Sequence, residues 1–74
     1  MDIIVPVLYE DMEPSIIRWK VKKGDQISVG DILFSLETDK AVFDVEAEKA
    51  GILKKIICVE KSLVEVLEVV GIID

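Results

Sequence analysis

A chain of 74 residues with 15 acidic and 9 basic side chains carries a net charge of −6 and has room for one domain. Its acidic surface repels phosphate backbones and anionic lipid, so basic protein partners are expected rather than nucleic acid or membrane. Histidine is absent, which removes the usual general base and the commonest transition-metal ligand, and the lone Cys58 allows no intramolecular disulfide and suits a reducing compartment.

Along the chain the apolar residues alternate or fall in short Val- and Ile-rich runs, the pattern of strands. Ile3-Ile4-Val5 opens the chain, and Pro6 marks that segment as an edge or a strand end. Tyr9 to Pro14 is polar and proline-bounded and reads as a loop. Its Glu10, Asp11 and Glu13 are candidate cation ligands, although three carboxylates on a loop more often form a solvated surface. Ile17, Trp19 and Val21 alternate with Arg18 and Lys20, a half-buried strand that places Trp19 in the core rather than against a ligand. Lys23-Gly24-Asp25 and Val29-Gly30-Asp31 are turn signals, with Ile27 between them pointing inward.

At mid-chain, Glu37-Thr38-Asp39-Lys40-Ala41 separates two apolar runs, Ile32 to Leu36 and Val42 to Glu46. A lysine at the tip of such a hairpin is a presented amine, although most turn lysines are merely solvated. Asp39 favours turn positions and Thr38 the strand end. Glu37 is read two ways, as part of a recognition signal around Lys40 or as an exposed strand charge. Cys58, in Ile56-Ile57-Cys58-Val59, reads as a small buried hydrophobe. No apolar run approaches membrane-spanning length.

Ser62 to Val70 is ambiguous, because Leu63, Val66, Leu67 and Val70 fall at helical spacing. An internal repeat argues for strands instead. A shift of 37 residues, half of 74, sets Ile16 on Leu53, Trp19 on Ile56, Val21 on Cys58 and Ile27 on Val64. The same shift sets Val29 on Val66, Ile32 on Val69 and Leu36 on Ile73. Two such halves, each too small to bury its own apolar face, are expected to close as an all-β flattened barrel or sandwich.

The central pentapeptide, Trp19-Lys20-Val21-Lys22-Lys23-Gly24-Asp25, Val29-Gly30-Asp31-Ile32-Leu33, Val45-Glu46-Ala47 and Ala50-Gly51-Ile52-Leu53-Lys54 together resemble the lipoyl domain of the 2-oxo acid dehydrogenase complexes. The resemblance implies two four-stranded antiparallel sheets of the lipoyl/biotinyl type with quasi-two-fold symmetry, in a single carrier domain over residues 1–74 with no catalytic site of its own. It implies lipoate as the cofactor, in amide linkage on Lys40, with Glu37, Thr38, Asp39 and Ala41 as the modification motif. The implied partners are a lipoate-protein ligase or octanoyltransferase, a 2-oxo acid dehydrogenase and dihydrolipoamide dehydrogenase, and the isolated domain is expected to be monomeric. The implied setting is the head of a longer acyltransferase, in the cytoplasm of a prokaryote or, in a eukaryote, the mitochondrial matrix. Biotin carriers share the fold but usually flank their lysine with methionine, where this chain has Asp39 and Ala41. The glycine-cleavage carrier usually has extra helical segments, and an unmodified β docking domain leaves the presented lysine without a use.

The chain departs from the family pattern in two places. Tyr9 and Asp11 stand where glycines are common, which predicts a different loop path there. Lys61-Ser62 stand opposite Gly24-Asp25, and Leu67 opposite Gly30, which predicts irregular turns in the second half.

Overall fold

Alternation and turn chemistry resolve into eight strands in a computed structural model describing residues 1–74. They are β1 (Asp2–Ile4), β2 (Ser15–Trp19), β3 (Gln26–Ile27), β4 (Ile32–Glu37), β5 (Val42–Glu46), β6 (Gly51–Ile56), β7 (Leu63–Val64) and β8 (Val69–Ile73). One antiparallel sheet has the order β5-β4-β2-β7 and the other β1-β8-β6-β3. Read position by position, the two orders equate β2, β3 and β4 with β6, β7 and β8, and β5 with β1. Each half lends its short strand, β3 or β7, to the sheet of the other half. This is the expected all-β pair of four-stranded sheets, and the segment that allowed a helix is strand, turn and strand.

The inner faces close on a core in which Ile17, Phe34 and Leu36 meet Leu53, Val70 and Ile73, sealed by Ile27 and Val64. Burying a side chain of this size is worth about 1.5–3 kcal/mol, so these residues drive closure. Trp19 crosses from one sheet to the other. Its ring stands edge-on to Phe34 with centroids 5.2 Å apart, and its Nε1 donates to the Cys58 carbonyl at 2.8 Å. Beneath it lies Gly71, where an added Cβ would come within 3.1 Å of the indole and 2.9 Å of the Lys55 carbonyl. Trp19 is therefore half-buried and packs against the core, the side its alternation implied.

The repeat needs one correction. Ile16 is exposed and does not match Leu53, which is fully buried. Leu53 pairs with Ile73 as Ile17 pairs with Leu36, and register is regained where Ile56 pairs with Gly71 as Trp19 pairs with Phe34. A β-bulge between Leu53 and Lys55 absorbs the difference, since one extra residue reverses the face of everything before it.

The second-half turns are regular, contrary to expectation. Gly24 and Gly30 adopt φ of 93° and 92°, and Lys61 and Leu67, their counterparts by the repeat, both adopt 69°. Each of the four sits third in a turn closed by a backbone bond from the fourth residue to the first: Asp25 to Lys22, Asp31 to Ser28, Ser62 to Val59 and Glu68 to Glu65. A left-handed conformation costs a non-glycine residue about 1–2 kcal/mol. The sheets on either side fix these turns strongly enough to hold Lys61 and Leu67 there. In the first loop Asp11 also takes a left-handed conformation, with φ 57°.

The N-terminal ammonium of Met1 donates to the Ile73 carbonyl at 2.8 Å, and Ile73 N donates back to the Met1 carbonyl at 3.0 Å. The place of these two ends in the β8–β1 pair is the place of the Lys40 hairpin in the β4–β5 pair.

Candidate functional site

The β4–β5 ladder runs out at the pair Glu37–Val42, leaving Thr38 to Ala41 to reverse the chain. Thr38 N donates to the Ala41 carbonyl at 2.9 Å. The Thr38 hydroxyl accepts the backbone amides of Lys40 and Ala41 at 3.2 and 3.1 Å and lies 3.3 Å from the Ala41 carbonyl, to which it donates. One side chain thus satisfies two of the four backbone amides of this reversal. What remains is outward-facing: Asp39 and Lys40 are both exposed, and the Lys40 ammonium enters no hydrogen bond or ion pair. Ala41 is half-buried at the start of the return strand.

Glu37 belongs to the base of the hairpin rather than its tip. Its Oε1 accepts from Arg18 Nη1 at 3.1 Å, and Arg18 Nε donates to Glu60 Oε2 at 3.0 Å. Glu60 Oε1 in turn accepts the backbone amide of Trp19 at 2.6 Å. Next to the guanidinium's strand, the buried Ser35 hydroxyl donates to Asp44 Oδ1 at 2.7 Å. On β5, Phe43 packs against Tyr9 with ring centroids 5.4 Å apart, which brings the first loop beside the hairpin.

Sequence reasoning placed Glu37, Thr38, Asp39, Lys40 and Ala41 together, and they are one hairpin. It missed Arg18, Glu60 and the Tyr9–Phe43 contact. Arg18 was legible only as an outward strand residue, and its partners come from β4 and from the connection before β7. The carboxylates of Glu10, Asp11 and Glu13 do not converge into a group that would hold a metal ion. The Cys58 thiol is half-buried and donates toward Glu68 Oε2 at 3.5 Å; burial, then the Glu68 carboxylate, raise its pKa above the ordinary thiol value.

A hollow of about 680 Å³ lies between β1 and β5 and is lined by Met1, Ile3, Val45, Ala47 and Ile73. Ala47 is six residues beyond Ala41 on an extended path, about 20 Å away at strand rise. The hollow and both chain ends therefore lie at the opposite end from Lys40. Lys40 lines neither that hollow nor the smaller one beside Met12 and Pro14, and its side chain projects from the end of the hairpin.

The biotin/lipoyl family, described as biotin-requiring enzyme, matches residues 1–73. The chain is 51% identical over 55 residues to the pyruvate dehydrogenase complex protein X component, mitochondrial, of Chaetomium thermophilum, covering 73% of this chain and 12% of that protein. It is 43% identical over 61 residues to the dihydrolipoyllysine-residue acetyltransferase component of the pyruvate dehydrogenase complex of Rickettsia felis, covering 81% of this chain and 15% of that one. It is 36% identical over 75 aligned positions to the dihydrolipoyllysine-residue succinyltransferase component of the 2-oxoglutarate dehydrogenase complex of Cupriavidus necator, covering 100% and 18%. The chain thus spans less than a fifth of the length of these relatives. Among solved structures, the lipoyl domain of the 2-oxoglutarate dehydrogenase complex from Azotobacter vinelandii superposes with a TM-score of 0.79 at 28% identity, covering 100% of this chain and 95% of that one.

Proposed function

The chain belongs to the biotin/lipoyl family as a lipoyl domain, and on that premise we propose that it is a swinging-arm carrier holding lipoate in amide linkage on Lys40. The observation that carries the proposal is the pairing of a hydrogen-bonded reversal with a free ammonium at its tip. The residues fit the group: Lys40 supplies an unengaged amine, and no neighbouring wall restricts an arm attached there. Lipoate would supply a disulfide able to carry electrons and acyl groups. The domain itself holds and presents. Anchoring the arm to a body that partners can reach turns a diffusional encounter into an intramolecular one, at effective concentrations of about millimolar for short tethers.

The proposed setting is the acyltransferase component of a 2-oxo acid dehydrogenase complex, in the bacterial cytoplasm or the mitochondrial matrix. A lipoate ligase or octanoyltransferase would modify the domain, and the dehydrogenase components would then use it. Incubation with a lipoate-protein ligase, lipoate and ATP should add one lipoyl amide by intact mass, mapped to Lys40 by peptide sequencing. Addition of biotin by a biotin ligase instead, or no addition by a ligase active on another lipoyl domain, would overturn the reading.

A further inference from the structure

We infer that Arg18 is a positioning residue for the Lys40 hairpin, acting through a clasp that reaches from β2 to the connection before β7; for the modifying reaction this rests on the carrier reading above. The guanidinium stands between two carboxylates, Glu37 at the base of the hairpin and Glu60, at 3.1 and 3.0 Å. Glu60 is anchored in turn by the Trp19 amide, next to Arg18 on the same strand. The clasp therefore ties the last residue of β4 to two elements distant in sequence, through three charge-assisted hydrogen bonds.

The symmetry of the fold separates this clasp from ordinary strand-end pairing. Asp74 is the counterpart of Glu37, and it too is ion-paired, with Lys54 Nζ at 3.2 Å. Lys54 is the inserted residue of β6, in the region that answers to Arg18. A basic residue bound to the acidic end of the central strand is thus a feature of the fold at both ends. At the Asp74 end the pairing stops there: Lys54 has no second carboxylate, and no acidic side chain caps a neighbouring backbone amide. The extension through Glu60 exists only at the end that presents Lys40.

Two consequences follow for recognition. Glu37 is already engaged, so an enzyme approaching the tip meets Asp39 as the free carboxylate beside Lys40. And without Arg18, Glu37 and Glu60 would be left as two uncompensated negative charges, which would drive the hairpin base away from the β6–β7 connection.

The test compares the wild-type domain with Arg18→Gln, Arg18→Lys and Glu60→Gln. Amide hydrogen exchange at Thr38 and Ala41 reads the hairpin without any modification, and initial rates of lipoate attachment against domain concentration read recognition. Arg18→Gln should speed exchange at both amides and raise the ligase's KM for the domain about fivefold, the scale of a small network of partly exposed ion pairs. Its kcat should stay near wild type, and its Tm should fall by no more than about 4–8 °C, the equivalent of about 1 kcal/mol. Arg18→Lys should restore part of the loss, and Glu60→Gln should reproduce part of it. Unchanged exchange at the hairpin overturns the positioning role, as does faster exchange spread evenly over all eight strands, the mark of global destabilisation. An unchanged KM with faster exchange overturns its part in recognition. If the wild-type domain takes no lipoate, the carrier reading fails, and the exchange contrast still decides whether Arg18 holds the hairpin.

Discussion

The hydroxyl of Thr38 accepts the backbone amide of Lys40 at 3.2 Å, so the residue that turns the chain also fixes the residue at its tip. Thr38→Val keeps the shape and removes the hydroxyl, leaving the Lys40 and Ala41 amides to water. Because both are near solvent, the loss should be about 1 kcal/mol of stability. Exchange should quicken at those two amides, and attachment at Lys40 should slow. Thr38→Ser should recover most of both. Thermal melts and exchange on the three proteins check it, and equal exchange in Val and Ser variants would sink the idea.

Lys40→Arg should leave the fold untouched and abolish attachment. The side chain is exposed and makes no contact that the fold uses, so the stability change should lie within about 0.5 kcal/mol. A melt and an intact-mass measurement suffice. A variant that unfolds would reveal a structural duty for Lys40.

Leu67→Gly should stabilise the domain. Leu67 is largely exposed, so little burial is lost, and its left-handed conformation is relieved. Relief of about 1–2 kcal/mol exceeds the extra chain entropy of glycine, about 0.5–1 kcal/mol, for a net gain of about 0.5–1 kcal/mol. In a domain of this size that raises Tm by about 2–8 °C. Gly30→Ala, at the symmetric turn, should lower it by a similar amount. Both moving in one direction would contradict the assigned turn geometry.

Gly71→Ala should destabilise by about 1–3 kcal/mol, as overpacking does, because the new methyl meets the Trp19 ring and a backbone carbonyl that has nowhere to go. Combining it with Trp19→Phe tests the cause. If the indole is the obstacle, the double variant should lose less than the sum of the singles. A strictly additive result would place the clash on the Lys55 carbonyl alone.

Cys58 should alkylate slowly near neutral pH, since burial and the nearby Glu68 both disfavour its thiolate. Glu68→Gln should quicken the reaction with iodoacetamide. The linkage has a definite sign: with the folded pKa above the unfolded one, this group's stabilisation is full below the unfolded value and fades as pH rises toward the folded one. Alkylation as fast as that of an unfolded thiol would refute the burial argument.

The hairpin and the strands with their first-half turns were legible in the sequence because their signals are local. Alternation gave Ile17 and Trp19 their inward face, and Gly24-Asp25 and Gly30-Asp31 announced their turns. The bulge in β6 was not legible, because nothing in Gly51-Ile52-Leu53-Lys54 marks an inserted residue; only the partner strand reveals it. The turns at Lys61 and Leu67 were misjudged for a different reason. Composition reports what a conformation costs, while the flanking sheets decide whether that cost is met. Glu37 was left between two readings because its partner Arg18 lies on another strand and Glu60 in the other half of the chain.

The hydrogen bonds between Met1 and Ile73 make the backbone nearly a ring, open at one point. The two-fold would give such a ring two equivalent tips, and the opening stands in place of one of them. The body is therefore polar although its strands are not, with a single front at Lys40 and a back where Met1 and Asp74 meet. Any further chain joined at either end leaves from the back, and its length or composition can vary without crowding the lysine.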